Sequence, residues 1–215
     1  MKVEITDQKP EFLKETWPGQ YEVFSHFEYI SAVPSILFII STLKENGKPN
    51  ACFHAWSAFA GDGGGYFSIL PGVLQPSHTY KNILREGEFC VNFLAPEYYD
   101  ACIKTIKENE LDTDEFLAGG FTAEAARCVK PPRIKEAFMV YECKLESHAD
   151  LSGKGISSLI VGRVVHAAIE EHHSSVEGMC AKTSFMFNLH RPKDPRTGEG
   201  EQSALAQLHL TRLVE

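Results

Sequence analysis

The sequence predicts a mostly β protein, one closed or partly closed antiparallel barrel with a few peripheral helices. Three observations carry this. Segments of strand character recur from residue 36 to residue 169, several of them alternating apolar and polar residues. The connections between them are short, and one carries the Asn46-Gly47 hairpin signal. No repeat and no linker interrupts the chain before residue 190, so residues 1–215 read as a single domain with its core over about 21–170 and a C-terminal extension over 171–215.

Taken in order, residues 1–20 show no period and read as a surface arm, and residues 21–27 as a short strand. Residues 36–43 are apolar and rich in β-branched residues, as in a buried strand. The hairpin returns through residues 50–59, with Cys52, His54, Trp56 and Ala58 on one face and Phe53, Ala55, Ser57 and Phe59 on the other. The glycine-rich loop at residues 61–65 permits unusual backbone or close approach of a ligand. It is no dinucleotide fingerprint, because Tyr66 replaces the last glycine, and no Lys-Ser/Thr pair follows it. A short strand covers residues 66–70. Ser77 or Thr79 caps a helix running to about Arg85, and Gly87 ends it. Residues 88–94 form the next strand, and Pro96 opens a helix with Tyr99, Cys102, Ile103 and Ile106 on one face. Residues 114–121 read as a short helix and 122–127 as a helical turn. In residues 138–147 the alternation points Met139, Tyr141, Cys143 and Leu145 inward and Glu142, Lys144 and Glu146 outward. Residues 156–169 form a long strand with a bulge or bend at Gly162. Residues 171–190 have no clean period, residues 190–202 read as a loop, and residues 203–214 as a helix or strand.

Composition narrows the function classes. The chain has 215 residues, 43% hydrophobic and 23% charged, which is ordinary for a soluble globular protein with a full core. A net charge of −8 argues against nucleic acid or an anionic membrane as the main partner. The start of the chain lacks the apolar core of a signal peptide, and residues 36–40 are too few to span a bilayer, so a cytoplasmic location is expected. The six cysteines include no C-x-x-C pair and read as small buried hydrophobes rather than a disulfide framework. His166, His172, His173 and His190 do not pair with a cysteine or carboxylate at metal-ligand spacing, and no metal is expected.

The chemistry concentrates in residues 46–92. Ser77, His78 and Thr79 offer side-chain donors at a helix start, with Lys81 and Asn82 within one turn, an arrangement that suits a phosphate. Ser77 and Thr79 also read as plain caps, Asn82 as a tie to a neighbouring element, and Lys81 as a solvated charge. His54, Ala55, Trp56, Ser57 and Ala58 can line a flat aromatic ring, with Asn50 nearby; Trp56 also reads as a core or dimer residue, His54 as a satisfied strand histidine, and Asn50 as a turn residue.

Several pieces occur together in the order of a known family. These are residues 36–42 with Gly47-Lys48-Pro49-Asn50-Ala51, then Trp56-Ser57, then Thr79-Tyr80-Lys81-Asn82-Ile83 with Gly87-Glu88-Phe89-Cys90-Val91-Asn92. Asp114-Glu115-Phe116, Gly120-Phe121-Thr122, Pro132-Arg133-Ile134, Tyr141-Glu142-Cys143 and Val161-Gly162-Arg163-Val164-Val165 continue the likeness. Over roughly residues 30–170 the chain resembles the flavin reductase-like, FMN-binding split-barrel proteins, in particular the flavoredoxin-like branch. The resemblance implies a Greek-key split β-barrel, a homodimer, and one FMN per subunit near the subunit interface. It implies a flavin oxidoreductase moving electrons from NADH or NADPH to flavin, or through bound FMN to an acceptor. A flavin electron carrier without its own substrate, or a flavin-free barrel for another small ligand, stands beside that expectation. Under it, Asn50, His54, Ala55, Trp56, Ser57, Ala58, Ser77, His78, Thr79, Lys81 and Asn82 hold the cofactor, and no catalytic residue is assigned. One loop departs from the family: residues 61–65 are glycine-rich where the family carries prolines beside the flavin ring.

Overall fold

The computed structural model describes residues 1–179, 185–200 and 202–208. The chain divides into two compact units, Met1–Ser35 with Phe187–Ala206, and Ile36–Met186 with Gln207–Glu215.

The smaller unit begins with two short helices, α1 (Gln20–Val23) and α2 (His26–Ser31), where a strand was expected over residues 21–27. The aromatic residues there have strand propensity, but a side-chain bond to the turn before α1 and a cap on α2 accompany the helical outcome. Gln20 Oε1 accepts the Thr16 N–H at 2.7 Å, and Ser25 Oγ accepts the Phe27 N–H at 3.3 Å. Tyr21, Phe24 and Tyr29 then meet edge-on. Lys193 joins the two segments of this unit, its N–H bonding to Tyr29 O at 2.7 Å and its Nζ to Lys14 O at 3.0 Å.

Strand β1 (Ser35–Ile36) leads into the larger unit. There β2 (Phe38–Leu43), β3 (Pro49–His54), β4 (Ala58–Asp62), β5 (Gly65–Leu74), β6 (Glu88–Phe93), β9 (Met139–Ala149) and β10 (Ser157–Ile169) form one sheet in the order β3-β2-β6-β9-β10-β5-β4. All six neighbouring pairs of this sheet are antiparallel. The small strands β7 (Ala123–Glu124) and β8 (Arg133–Ile134) pair with each other. The two edges of the large sheet, β3 and β4, are consecutive in the chain and joined only by residues 55–57. So short a connection brings the edges together, while the strand order leaves them unpaired, and the sheet is a split barrel. β6 returns to lie between β2 and β9 instead of beside β5, which gives the Greek-key path.

The turns follow their chemistry. Gly47, at φ 80°, closes the β2–β3 hairpin as the left-handed residue of a three-residue loop, with its N–H on Lys44 O at 3.0 Å. Residues 61–65 are a tight, exposed hairpin tip in which Asp62 Oδ1 accepts the Gly64 N–H at 2.7 Å. The predicted strand over residues 50–59 is broken: Trp56 takes a left-handed conformation at φ 47° and separates β3 from β4. β5 extends to Leu74, four residues beyond the expected end. The register of β9 and β10 shifts at Val161/Gly162, as expected for a bulge. A Cβ on Gly162 would stand 2.7 Å from Phe89 Cε1 and 3.1 Å from Cys143 Cβ, so only glycine lets these strands pack.

Inside the barrel, Phe38, Leu70, Phe89, Val91, Phe93, Cys143 and Ile160 form one buried cluster, with Phe59 and Tyr141 at its margin. Helix α3 (His78–Glu86) adds Ile83 to it. The other face of β2, β3, β6 and β9 buries Ile39, Ala51, Cys90 and Val140 against α4 (Tyr99–Lys107), α5 (Glu115–Gly119) and the segment holding Ile134. Because β9 is covered on this face too, Glu142 is wholly buried, contrary to its predicted outward position. Its carboxylate accepts the backbone N–H of Arg127 at 2.9 Å and of Cys128, and pairs with Arg133 through Nε at 2.7 Å. Residues 123–124, expected in a helical turn, are instead strand β7 beside β8. After β10 come a 3-10 turn (Glu171–His173), α6 (Val176–Met179), β11 (Met186–Leu189) and β12 (Ala204–Gln207); β1, β11 and β12 form a separate three-stranded sheet. The rest of the helix or strand expected over residues 203–214, from 209 onward, and Cys180 lie outside the described residues.

Candidate functional site

A cleft of about 290 Å³ opens where the start of α3, edge strand β3 and the end of α4 meet. Asn50 and Cys52 of β3, Ser77, His78 and Thr79 at the head of α3, and Asn109 and Glu110 beyond α4 line it. The local sequence explains each position. Ser77 caps α3, its Oγ accepting the Tyr80 N–H at 3.2 Å and donating to Leu74 O at 2.6 Å. Thr79 is 2% exposed, and its Oγ1 accepts from Asn50 Nδ2 at 3.1 Å. That bond fixes the hydroxyl oxygen, and its proton can be donated to the neighbouring Cys52 sulfur or to a ligand in the cleft. The first-turn N–H groups of a helix have no intrahelical carbonyl to bond, so this end of α3 presents donors and the positive end of the helix dipole.

A buried ion pair stands behind the cleft. Lys44 is buried, and its Nζ donates to the carbonyls of Glu110 at 2.8 Å, Leu111 at 3.2 Å and Thr113 at 2.7 Å while pairing with Glu115 at 2.7 Å. These contacts hold the loop that forms the far wall. Burial first, then the charges of Lys44 and Lys81, hold the His78 imidazole below its ordinary range against the opposing pull of Glu110.

At the other end of β3 stands the junction of residues 55–57. His54 is 8% exposed and donates from Nε2 to Pro71 O, 3.1 Å away. Burial pushes its pKa down to about 4, so it is neutral at pH 7. Trp56 packs over Gly72, where a Cβ would stand 3.3 Å from Trp56 Cε3. Ser57 Oγ is buried and has no hydrogen-bond partner within the protein. A buried hydroxyl without a partner is costly unless something else bonds it.

The structure thus gathers Asn50, Ser77, His78 and Thr79 into one cleft, and His54, Ala55, Trp56, Ser57 and Ala58 at the opposite end of the same strand. Asn82 is a tie within the fold: its Nδ2 donates to Thr42 Oγ1 at 3.0 Å and its Oδ1 accepts from Arg85 at 3.1 Å. Lys81 stands exposed on α3, outside the cleft lining. No local signal in the sequence marks Asn109 and Glu110, which arrive from the loop after α4. The histidine reading also needs correction, because Glu170 Oε2 stands 3.4 Å from His172 Nδ1 and 3.5 Å from His173 Nδ1. Among the described residues no helix is long and apolar enough to cross a membrane.

A split barrel with an anion-suited cleft at a helix start defines a class of small-ligand barrels, and comparison with known proteins gives the family. The chain belongs to the flavin reductase-like domain family, whose model matches residues 30–184. An uncharacterised protein of Aquifex aeolicus is 42% identical over 67 residues, which is 31% of this chain and 34% of that protein, so the match spans about a third of that relative's length. Among solved structures, nitrilotriacetate monooxygenase component B from Bacillus cereus superposes with a TM-score of 0.73 at 17% identity, over 99% of this chain and 100% of the other. The FMN-binding protein of Thermus thermophilus with bound 1-cyclohex-2-enone gives 0.68 at 16% identity over 100% of both chains. The flavoredoxin of Desulfovibrio vulgaris (Miyazaki F) gives 0.64 at 16% identity, over 83% and 90%. At these identities the structural matches speak for the fold.

Proposed function

We propose that the protein binds FMN along β3 and serves as a flavin oxidoreductase, taking electrons from NADH or NADPH and passing them to flavin or, through bound FMN, to an acceptor. The observation that carries this is the arrangement along one strand: an anion-suited cleft at Asn50 and a buried, unpartnered Ser57 hydroxyl beyond His54. From Asn50 to Ser57 the chain is long enough to span a ribityl chain, since β3 alone advances roughly 13 Å between Asn50 and His54 at about 3.3 Å per residue. The residues present fit the group. His78, Thr79 and the first-turn amides of α3 would hold the phosphate, with Ser77 keeping the helix start in place. Ser57 and the backbone of the residue 55–58 segment would bond the polar edge of the ring, and Trp56 with Ala58 would bound its face. When bound, the flavin supplies the hydride and electron chemistry. The protein's own part is to orient the ligand, to exclude water from the buried side, and to keep His54 uncharged beside it. The family assignment supports flavin as the ligand, and the name of the Thermus neighbour supports FMN. A homodimer is part of the proposal, since one chain leaves the outer edge of the cleft open.

The test is titration of the protein with FMN followed by flavin fluorescence, and then steady-state oxidation of NADH and NADPH with free flavin present. Saturable quenching with turnover is expected. Quenching without turnover makes the protein an electron carrier instead, and no binding of FMN refutes the proposal.

A further inference from the structure

Beyond the flavin cleft, a second cluster of ligand-forming side chains stands at the end of β10. The Glu170 N–H donates to Phe138 O at 2.9 Å, which anchors the residue where the strand ends. The 3-10 turn that follows swings His172 and His173 back toward its carboxylate. The His173 ring stacks on Phe138 with centroids 4.6 Å apart and planes at 23°, so its orientation is fixed by packing. Its Nδ1 is buried and makes no hydrogen bond, although Glu170 Oε2 is 3.5 Å away. His172 Nδ1 lies 3.4 Å from the same oxygen, and the three ligand atoms all fall within 4.8 Å of one another.

These distances have a chemical meaning. Tetrahedral zinc holds nitrogen and oxygen ligands at about 2.0–2.1 Å, which separates neighbouring ligand atoms by roughly 3.4 Å. The spacing of Glu170 Oε2 from each imidazole nitrogen is already that of two edges of such a tetrahedron. A simple ion pair accounts less well for it, because His173 Nδ1 faces the carboxylate without bonding it. We propose that Glu170, His172 and His173 form a binding site for a divalent transition cation, with zinc as the fitting ion. Two imidazoles and one carboxylate select a borderline-soft metal over the oxygen-preferring magnesium or calcium. Glu170 and His172 are exposed, so the fourth position opens to solvent for water or another ligand. A bound ion cross-links the end of β10 to the turn after it.

The experiment uses the full, tag-free chain freed of metal on a chelating resin and titrated with zinc against a chromophoric zinc indicator. Wild-type protein is expected to compete for zinc, with magnesium leaving that competition unchanged. His172→Ala removes an exposed ligand with little effect on packing, and Glu170→Gln keeps the shape while removing the charge. Removing a group that only hydrogen-bonds to a metal ligand already costs about 10–100-fold in metal affinity, so each of these variants, which removes a ligand itself, is expected to lose at least about tenfold. Circular dichroism checks that both stay folded. Failure of the wild type to compete for zinc overturns the proposal, and so does equal competition by the wild type and both folded variants. Neither result bears on FMN binding.

Discussion

Thr79→Val removes one hydroxyl from the candidate phosphate cleft while keeping the β-branched shape. Two effects follow from the geometry, and they are separable. Thr79 Oγ1 accepts from Asn50 Nδ2 at 3.1 Å, and both residues are buried, so valine leaves an amide donor without its acceptor. An unsatisfied buried donor costs about 1–3 kcal/mol, which lowers Tm by roughly 3–10 °C for a chain of this size. The hydroxyl proton, which the neighbouring Cys52 sulfur can accept within the protein, is the group offered to the phosphate. A hydrogen bond to a charged group contributes about 1.5–3 kcal/mol, and about 1.4 kcal/mol is a factor of ten, so FMN affinity should fall about ten- to a hundredfold. Riboflavin lacks the phosphate, and its affinity should hardly change. Thr79→Ser keeps the hydroxyl and should retain most FMN binding. The assay is fluorescence titration of both flavins against all three proteins, with thermal melts in parallel. Equal loss for FMN and riboflavin, or no loss for either, refutes the role given to Thr79.

Other predictions concern the scaffold. Gly162→Ala drives a methyl into the Phe89 ring and should destabilise by about 1–3 kcal/mol, read as a lower urea midpoint; an unchanged midpoint contradicts the packing described. For Glu142, burial pushes the carboxyl up, but the N–H of Arg127, Arg133 and the N–H of Cys128 outweigh it and hold the group below the ordinary range. Its stabilising effect is therefore complete above the unfolded carboxyl pKa and is lost as pH falls through the lower folded value. Glu142→Gln strips Arg133 of its buried partner and should cost about 3 kcal/mol at pH 7, with a smaller acid-induced loss than wild type; denaturant melts at pH 7 and pH 3 check both. His54 is depressed from 6.5 to about 4, a gap worth roughly 3 kcal/mol. Stability from this group is present above about pH 6.5 and falls away toward pH 4. His54→Gln should therefore lose less stability than wild type between pH 7 and pH 5, and identical pH profiles would contradict the assignment.

The barrel was legible in the sequence wherever local chemistry decides structure. Asn46-Gly47 marked its hairpin, Ser77 and Gly87 marked both ends of α3, and Gly162 marked the bulge in β10. The misses share a cause, which is information held by distant residues. Alternation continues smoothly through Trp56, and nothing nearby announces the left-handed turn that splits β3 from β4; the signal is Gly72, sixteen positions on, which makes room for the indole. Glu142 obeys the outward pattern of a half-exposed strand, yet Arg133 and the amides of residues 127–128 cover and neutralise it. The same holds at the site. Ser77, His78 and Thr79 are readable as a helix start, while Asn50 reaches Thr79 only through the fold, and Lys44 acts on the cleft through a loop that the sequence alone left unplaced. The glycines at residues 61–65 allowed either unusual backbone or close approach of a ligand, and the chain there forms a surface turn that Asp62 closes, with Gly65 at φ 156°.

A crystal structure of the protein soaked with FMN would show whether the head of α3 receives the phosphate. The phosphate is expected within hydrogen-bond distance of Thr79 Oγ1 and the first-turn amides of α3, with the ring edge at Ser57. A phosphate bound elsewhere, with the cleft beside Asn50 left to solvent, would contradict it.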